Sequence, residues 1–218
     1  MLLAILWLLF SYLFASIPNG YLVVKWFTGQ DIRKIGRKKI SGSNVMHNIG
    51  IAPGLLSGGF DILKGLIAVS GAYYLGLSPL FQAISGILAV CGQMWPIFLK
   101  FWGGRGGATS IGAMLGLNPF IALPTILFWI SLKFISREMG APIGMMLFYI
   151  ICGGVGTYLG HKEVYIFSFV TLFLIFLQRI LGEPGSFSKI KNNKKIILYR
   201  LFLDRDTKER IKSEKKTW

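Results

Sequence analysis

Residues 51–76 read IAPGLLSGGFDILKGLIAVSGAYYLG, an apolar run whose only charges are Asp61 and Lys64. About 20 such residues cross a bilayer as a helix. Inside lipid, every backbone amide must find its partner within its own segment. The stretch therefore reads as a transmembrane helix. On insertion scales each charge near the bilayer centre costs about 2.5–3.5 kcal/mol, so neither side chain should face lipid. Their i, i+3 spacing puts both on one helical face. There they either form a structural ion pair or point into a shared cavity. Gly54, Gly58 and Gly59 allow close helix approach.

Similar runs fill most of the 218 residues, which are 53% hydrophobic with a mean hydropathy of +0.58. Met1 to Phe27 is nearly all apolar and lacks the basic start and small-residue cleavage site of a signal peptide, so it reads as a first transmembrane helix. Pro18-Asn19-Gly20 should kink it or end a turn, either for packing or to present Asn19 to a ligand. Ser78 to Phe98 is a third helix. A short fourth ends near Leu117, before Pro119, and a fifth runs to about Ser136. A turn at Arg137 and Glu138 precedes a sixth helix, Ala141 to Leu159, and a seventh follows from Val164 to Leu181. The expected architecture is an all-α integral membrane protein: a seven-helix transmembrane bundle over residues 1–182, with a basic tail over 183–218.

The formal charge of +15 sits mainly in the connections and the tail. That placement is topological rather than the footprint of a nucleic-acid binder. The loops at 28–50 and 100–107, the turn at 137 and the tail all fall on one side, which makes that side cytoplasmic and the N-terminus external. Basic surfaces of this kind attract anionic membrane lipid and phosphorylated ligands. In the tail, Ile196, Ile197, Leu198, Tyr199, Leu201, Phe202 and Leu203 form an apolar patch, consistent with a membrane-surface helix or with a disordered segment drawn to lipid. Cys91 and Cys152 lie in apolar runs, implying no disulfide framework. His47 and His161 stand far apart, so neither a metal site nor a cofactor is expected.

Two connections carry the candidate chemistry. Phe101-Trp102-Gly103-Gly104-Arg105-Gly106-Gly107-Ala108-Thr109 sets four glycines around one arginine. Backbone N–H groups free of Cβ atoms can line an anion-holding concavity. Arg105 adds a fork of donors suited to phosphate, and the next helix offers its N-terminus. A flexible glycine hinge between two helices is the other reading. The loop at 28–50 combines five Lys and Arg residues with Gly42, Ser43 and Asn44. It is either a topological anchor or a segment folded back to line a polar pocket.

Together these blocks resemble the acyl-phosphate:glycerol-3-phosphate acyltransferases of bacterial membranes, a family of small seven-helix proteins. Ser16-Ile17-Pro18-Asn19-Gly20-Tyr21-Leu22 is similar to the family's Ser-Ile-Pro-x-Gly-Tyr-Leu. Asp31 through Gly50 lies on its DIR-x-x-GSGNxGATNVLRxxG without a gap. Phe60 to Gly65 resembles its Asp-x-x-Lys-Gly, and Gly92 to Thr109 its GHxxPxFxxFxGGKGVAT. The match covers Ser16 to Thr109; beyond that, only helix count and hydrophobicity agree.

The departures are specific. Arg37 and Lys39 replace the Ser and Asn of GSGN. Ser43 and Asn44 stand for the Thr and Asn of GATN, His47 replaces the arginine of VLR, and Arg105 the lysine of GGKG. The family's third motif, a His and an Asn at the end of the last helix, has no counterpart; Gln178, Arg179 and Glu183 are nearest.

The resemblance implies transfer of a fatty acyl group from acyl phosphate to the 1-hydroxyl of glycerol 3-phosphate, giving lysophosphatidate and phosphate at the cytoplasmic face of a bacterial inner membrane. No cofactor, metal or covalent acyl-enzyme is implied. Catalytic positions would be Ser43, Asn44, His47 and Arg105. Phosphate would be held by Arg37, Lys39, Gly103, Gly104, Arg105, Gly106, Gly107 and Thr109, with Asp61 and Lys64 supporting, and the acyl chain would lie between helices. The altered motifs leave two rival expectations: a relative that binds acyl phosphate without turning it over, or a small membrane transporter. The sequence says nothing of oligomeric state.

Overall fold

In a computed structural model the described residues are 1–36, 39–135, 141–181 and 195–202. They are helices and connections. Helix α1 spans Leu2–Ala15 and α2 Asn19–Thr28, separated at the expected Pro18 break. The loop that follows contains a 3-10 turn, Ile32–Lys34, and a short helix α3, Gly42–Asn48. Next come α4 (Ile51–Tyr74), α5 (Pro79–Met94), a 3-10 turn at Ile97–Leu99 and α6 (Gly107–Leu117). Helices α7 (Pro119–Ile135), α8 (Ala141–Tyr158), α9 (Lys162–Leu181) and α10 (Lys195–Phe202) complete the order.

Among the described residues, four stretches are long and apolar enough to cross a membrane: Leu2–Thr28, Ile51–Tyr74, Pro79–Leu99 and Lys162–Ile180. The others are shorter. Helix α6, with 11 residues, is about 16 Å long, roughly half a hydrocarbon core. Pro119 starts α7 and Pro124 sits inside it. Of the tail, only α10 lies within the described residues.

Helix α4 is the organiser, packing against α1, α2, α3, α5 and α6. Small residues set these distances. A β-carbon on Gly65 would fall 1.8 Å from the Thr109 carbonyl oxygen, and one on Gly112 would fall 1.9 Å from that of Ile62. Helices α4 and α6 therefore touch backbone to backbone, and α6 starts beside the polar middle of α4. Trp7 of α1 covers Gly71 and donates to the Ala68 carbonyl at 2.9 Å. Tyr12 donates to the Trp95 carbonyl at 2.8 Å, fixing α1 to the end of α5. The main apolar core, which includes Val90, Met94, Met114, Phe148, Tyr149 and Phe167, joins α5, α6, α8 and α9.

Candidate active site

The chain doubles back after α5. Lys100 and Phe101 both lie at positive φ, 53° and 62°, a left-handed conformation that non-glycine residues rarely adopt and that concentrates at ligand-binding sites. The reversal returns the chain onto the last turn of α5. Phe101 donates to the Pro96 carbonyl at 3.0 Å and Gly104 to that of Gln93 at 2.9 Å.

This stretch is not a loose hinge. Gly103 and Gly104 are buried, and a β-carbon on Gly103 would stand 2.4 Å from the Gln93 oxygen and 2.6 Å from that of Met94. Gly106, at φ 71°, is the N-cap of α6. The N–H groups of the first α6 turn have no intrahelical acceptor and carry the positive end of the helix dipole. Arg105, half-buried, immediately precedes that N-cap.

Among the described residues, the basic loop meets this one through Ile40 and Arg33. A β-carbon on Gly104 would fall 2.5 Å from the Ile40 carbonyl. The Arg33 guanidinium stands 5.6 Å from the ring centre of Trp102 and 5.3 Å from that of Tyr21, within cation–π range. Asp31 orients that arginine: its carboxylate accepts from Arg33 Nη2 at 2.7 Å, from Nε at 3.0 Å and from the Arg33 backbone at 2.9 Å. These bonds hold the Asp31 carboxyl below its usual range and raise the guanidinium. The loop at 28–50 is therefore folded back onto the glycine loop rather than serving as a topological anchor alone.

Within the basic loop, Ser41 caps α3 by accepting from Asn44 N at 3.3 Å. A serine followed by polar residues is the local signal for that helix. Ser43 and His47, four residues apart, share one face of α3 and are exposed. Asn44 is buried: its amide donates to the carbonyls of Lys39 at 2.9 Å and Ile35 at 3.2 Å, and its oxygen accepts from Asn48 at 3.0 Å. Its visible work is to close the loop. Lys39 is 3% exposed. Arg37 lies outside the described residues.

Beneath both loops lies a buried polar network. Lys64 Nζ is 3.4 Å from Asp61 Oδ1 and 3.1 Å from Gln93 Oε1, and it also donates to the Ile17 carbonyl at the α1–α2 break. Gln93 Nε2 donates to Asp61 Oδ2 at 2.9 Å. Of the two readings of this spacing, the ion pair is present, with Gln93 as a third member. Gln93 occupies the position of the histidine in the resembled GHxxPxF block. Sequence reading missed its role, although an amide in an apolar helix was a signal. Thr109 Oγ1 and Trp102 Nε1 are buried with no hydrogen-bond partner among the described residues, so two polar atoms remain uncommitted beside the glycine loop.

The sequence profile of one family, glycerol-3-phosphate acyltransferase, matches residues 5–180. Glycerol-3-phosphate acyltransferase 4 of Dehalococcoides mccartyi is 35% identical over 204 residues, covering 92% of this chain and 88% of that protein. A glycerol-3-phosphate acyltransferase of Thermus thermophilus is 42% identical over 134 residues, 62% of this chain and 67% of the relative. Among solved structures, the glycerol 3-phosphate form of an integral membrane glycerol 3-phosphate acyltransferase superposes with a TM-score of 0.75 at 25% identity, covering 91% of this chain and 94% of its own. The lysophosphatidic acid form of that protein matches the fold with a TM-score of 0.72 at 23% identity.

Proposed function

The chain belongs to the glycerol-3-phosphate acyltransferase family, and we propose from that premise that its two converging loops bring an acyl phosphate and glycerol 3-phosphate together for direct acyl transfer. The protein is an acyltransferase with glycerol 3-phosphate as the acceptor. The observation that carries the site assignment is the double junction of Ile40 with Gly104 and Arg33 with Trp102. That contact supports reading the Arg33 and Ile40 parts of the basic loop and the Arg105 loop as one site.

In this reaction the 1-hydroxyl oxygen attacks the acyl carbonyl carbon, the bond from that carbon to the phosphate oxygen breaks, and inorganic phosphate leaves. The hydroxyl proton departs to the leaving phosphate or to water. Both substrates are phosphorylated, so positioning and charge stabilisation are the main demands on the protein. In this reading Arg105, with Gly103, Gly104, Gly106, Gly107 and Thr109, holds one phosphate. Ser43 and His47, exposed on α3, meet the acceptor with Lys39 and Arg37. Asn44 acts by holding their loop closed, and Asp61 and Lys64 act through Gln93.

The same reading gives seven crossings over residues 1–182, an external N-terminus, and an active face and 183–218 tail at the cytoplasmic side of a bacterial inner membrane, with the acyl chain between helices. Support comes from exposed rings at helix ends. Tyr73 and Tyr74 end α4 and Tyr158 ends α8, while Trp26 stands near the end of α2. Such rings favour membrane–water interfaces.

The direct test is phosphate release from palmitoyl phosphate by detergent-purified protein, with and without glycerol 3-phosphate. Acceptor-dependent release that falls at least about 100-fold in Arg105→Ala is the expected result. Full activity of that variant would remove the cradle.

A further inference from the structure

Helix α10 plays no part in that chemistry, and it lies past the residues that the family profile matches. It packs against α9 and α8. Arg200 is its fastening point: the residue is 2% exposed, and its Nη1 donates to the Ile180 carbonyl at 2.8 Å. Ile180 stands in the last turn of α9, where that membrane-crossing stretch ends. Carbonyls in a last turn have no intrahelical donor and carry the negative end of the helix dipole, so a guanidinium suits them. Helix α10 is thereby held at the level where hydrocarbon gives way to headgroups.

One side of α10 is spent on the bundle and the other is not. Ile196, Ile197 and Arg200, at i, i+4 and i, i+3 spacing, share a side and are half-buried or buried. Leu198, across the helix from Ile196 and Arg200 at 3.6 residues per turn, is 57% exposed. Three and four positions on, the sequence continues that outer side with Leu201 and Phe202.

The charge around this helix has one sign. From Pro184 to Leu203 the sequence holds five Lys and Arg residues and no Asp or Glu. Lys194 and Lys195 stand at the start of α10, the positive end of its dipole, where a cation is unfavourable in water. Helix formation gives no reason for lysines there. An anionic surface does.

We propose that α10 is an interfacial anchor: its apolar outer side lies in the headgroup layer beside the end of α9, and the lysines leading into it select anionic phospholipid. An apolar helix side next to clustered cations is the combination that binds negatively charged bilayer surfaces. A soluble acidic partner would account for the lysines but not for a helix fastened where a span ends. The inference goes beyond the acyltransfer reading and does not depend on it.

The test uses the full chain with Leu198→Cys carrying a bimane fluorophore; the unsubstituted chain, with Cys91 and Cys152, is the labelling blank. Nanodiscs contain phosphatidylcholine with phosphatidylglycerol as the minority lipid, and the acyl chains of one lipid or of the other are brominated. Quenching per brominated lipid should be at least about threefold stronger when phosphatidylglycerol carries the bromine. Each lysine near an anionic surface is worth about a fivefold factor in binding. With Lys189, Lys191, Lys194 and Lys195 all changed to Gln, the preference should fall to about one.

Equal quenching by the two lipids in the parent chain overturns headgroup selection, and quenching by neither overturns the interfacial placement. Absent quenching with concentration-dependent disulfide dimers of the Leu198→Cys variant would give the outer side to a second copy instead. Should the labelled variant fail to fold, thermal unfolding in detergent decides. Added phosphatidylglycerol should raise Tm more than phosphatidylcholine does, and the four glutamines should abolish the difference. An equal rise from both lipids, or a difference that survives the glutamines, refutes the role of the lysines. Phosphate release from palmitoyl phosphate judges the acyltransfer reading separately.

Discussion

Gln93 and Gly104 meet twice. The Gly104 N–H donates to the Gln93 carbonyl at 2.9 Å, and a β-carbon on Gly104 would stand 3.2 Å from Gln93 Nε2. The residue that completes the buried Asp61–Lys64 network is therefore the one on which the glycine loop rests. A contact of this kind couples the membrane interior to the site, because a shift of the α5 backbone at Gln93 carries both the network and the hydrogen bond to Gly104.

Space, rather than flexibility, is why Gly103 and Gly104 are glycines. Either residue changed to alanine would drive a methyl to 2.6 Å or less from a backbone carbonyl, which cannot shift without opening the loop. Such overpacking costs about 1–3 kcal/mol, and here it falls on the loop itself. Acyltransfer should drop about 100-fold or more in Gly104→Ala, with Tm only modestly lowered. Gly59→Ala is the control, since nothing lies within 4 Å of its added methyl. Equal activity of the two variants would show that the loop tolerates displacement.

Breaking the network should be worse than deleting its charges together. Lys64→Met leaves the Asp61 carboxylate buried beside Gln93 without its cation, a loss of about 3–5 kcal/mol. The double variant Asp61→Asn, Lys64→Met removes both charges and should recover a large part of that in detergent-phase unfolding. Gln93→Leu strips one acceptor from Lys64 and one donor from Asp61 and should cost about 1–3 kcal/mol. Additive single and double effects would argue against a coupled triad.

Local spacing made half of this site readable. Asp61 and Lys64 sit i, i+3 in an apolar run, so their shared face needed no tertiary information, although spacing left pairing and a shared cavity both open. The glycines around Arg105 announced a possible backbone concavity but not its close packing on α5, and Pro18 announced the α1–α2 break. Gln93 joins the pair across 29 and 32 positions of sequence, and no periodicity reports such a contact. The stacking of Arg33 on Trp102 was hidden for the same reason. Asn44 stood out as a polar residue in a glycine- and serine-bearing loop, but its amide turns to the carbonyls of Ile35 and Lys39 because folding the basic loop onto α4 buries it. Residue type alone does not distinguish a brace from a ligand.

Gly65 tests whether close helix contact sets the height of the cradle. Its α-carbon faces the Thr109 carbonyl so closely that an added methyl would fall 1.8 Å away, forcing α4 and α6 apart at the first turn of α6. Gly65→Ala should lower stability by more than about 2 kcal/mol and reduce activity beyond what the Tm change explains, because α6 carries Thr109 and the helix N-terminus. Activity at the wild-type level with lowered Tm would separate the α4–α6 seam from the chemistry.

The Asp31–Arg33 pair gives the site a pH signature of definite sign. Arg33 holds the Asp31 carboxyl below its ordinary value, so folding favours the ionised form. The stabilisation is fully present above the unfolded-state pKa of about 3.9 and fades as pH falls through the lower folded value. With side chains 25% and 20% exposed, the pair is worth no more than about 1 kcal/mol. At neutral pH Asp31→Asn should therefore unfold at slightly lower temperature than wild type. The gap should narrow as pH falls below about 4, where the unfolded carboxyl takes up its proton, and close once the folded wild-type carboxyl is neutral too. From pH 6 to 9 the two activity profiles should keep the same shape. Because Arg33 also stacks on Trp102, Arg33→Ala should impair activity more than Asp31→Asn does. Equal losses in the two variants would mean that the stack on Trp102 adds nothing to the junction of the loops.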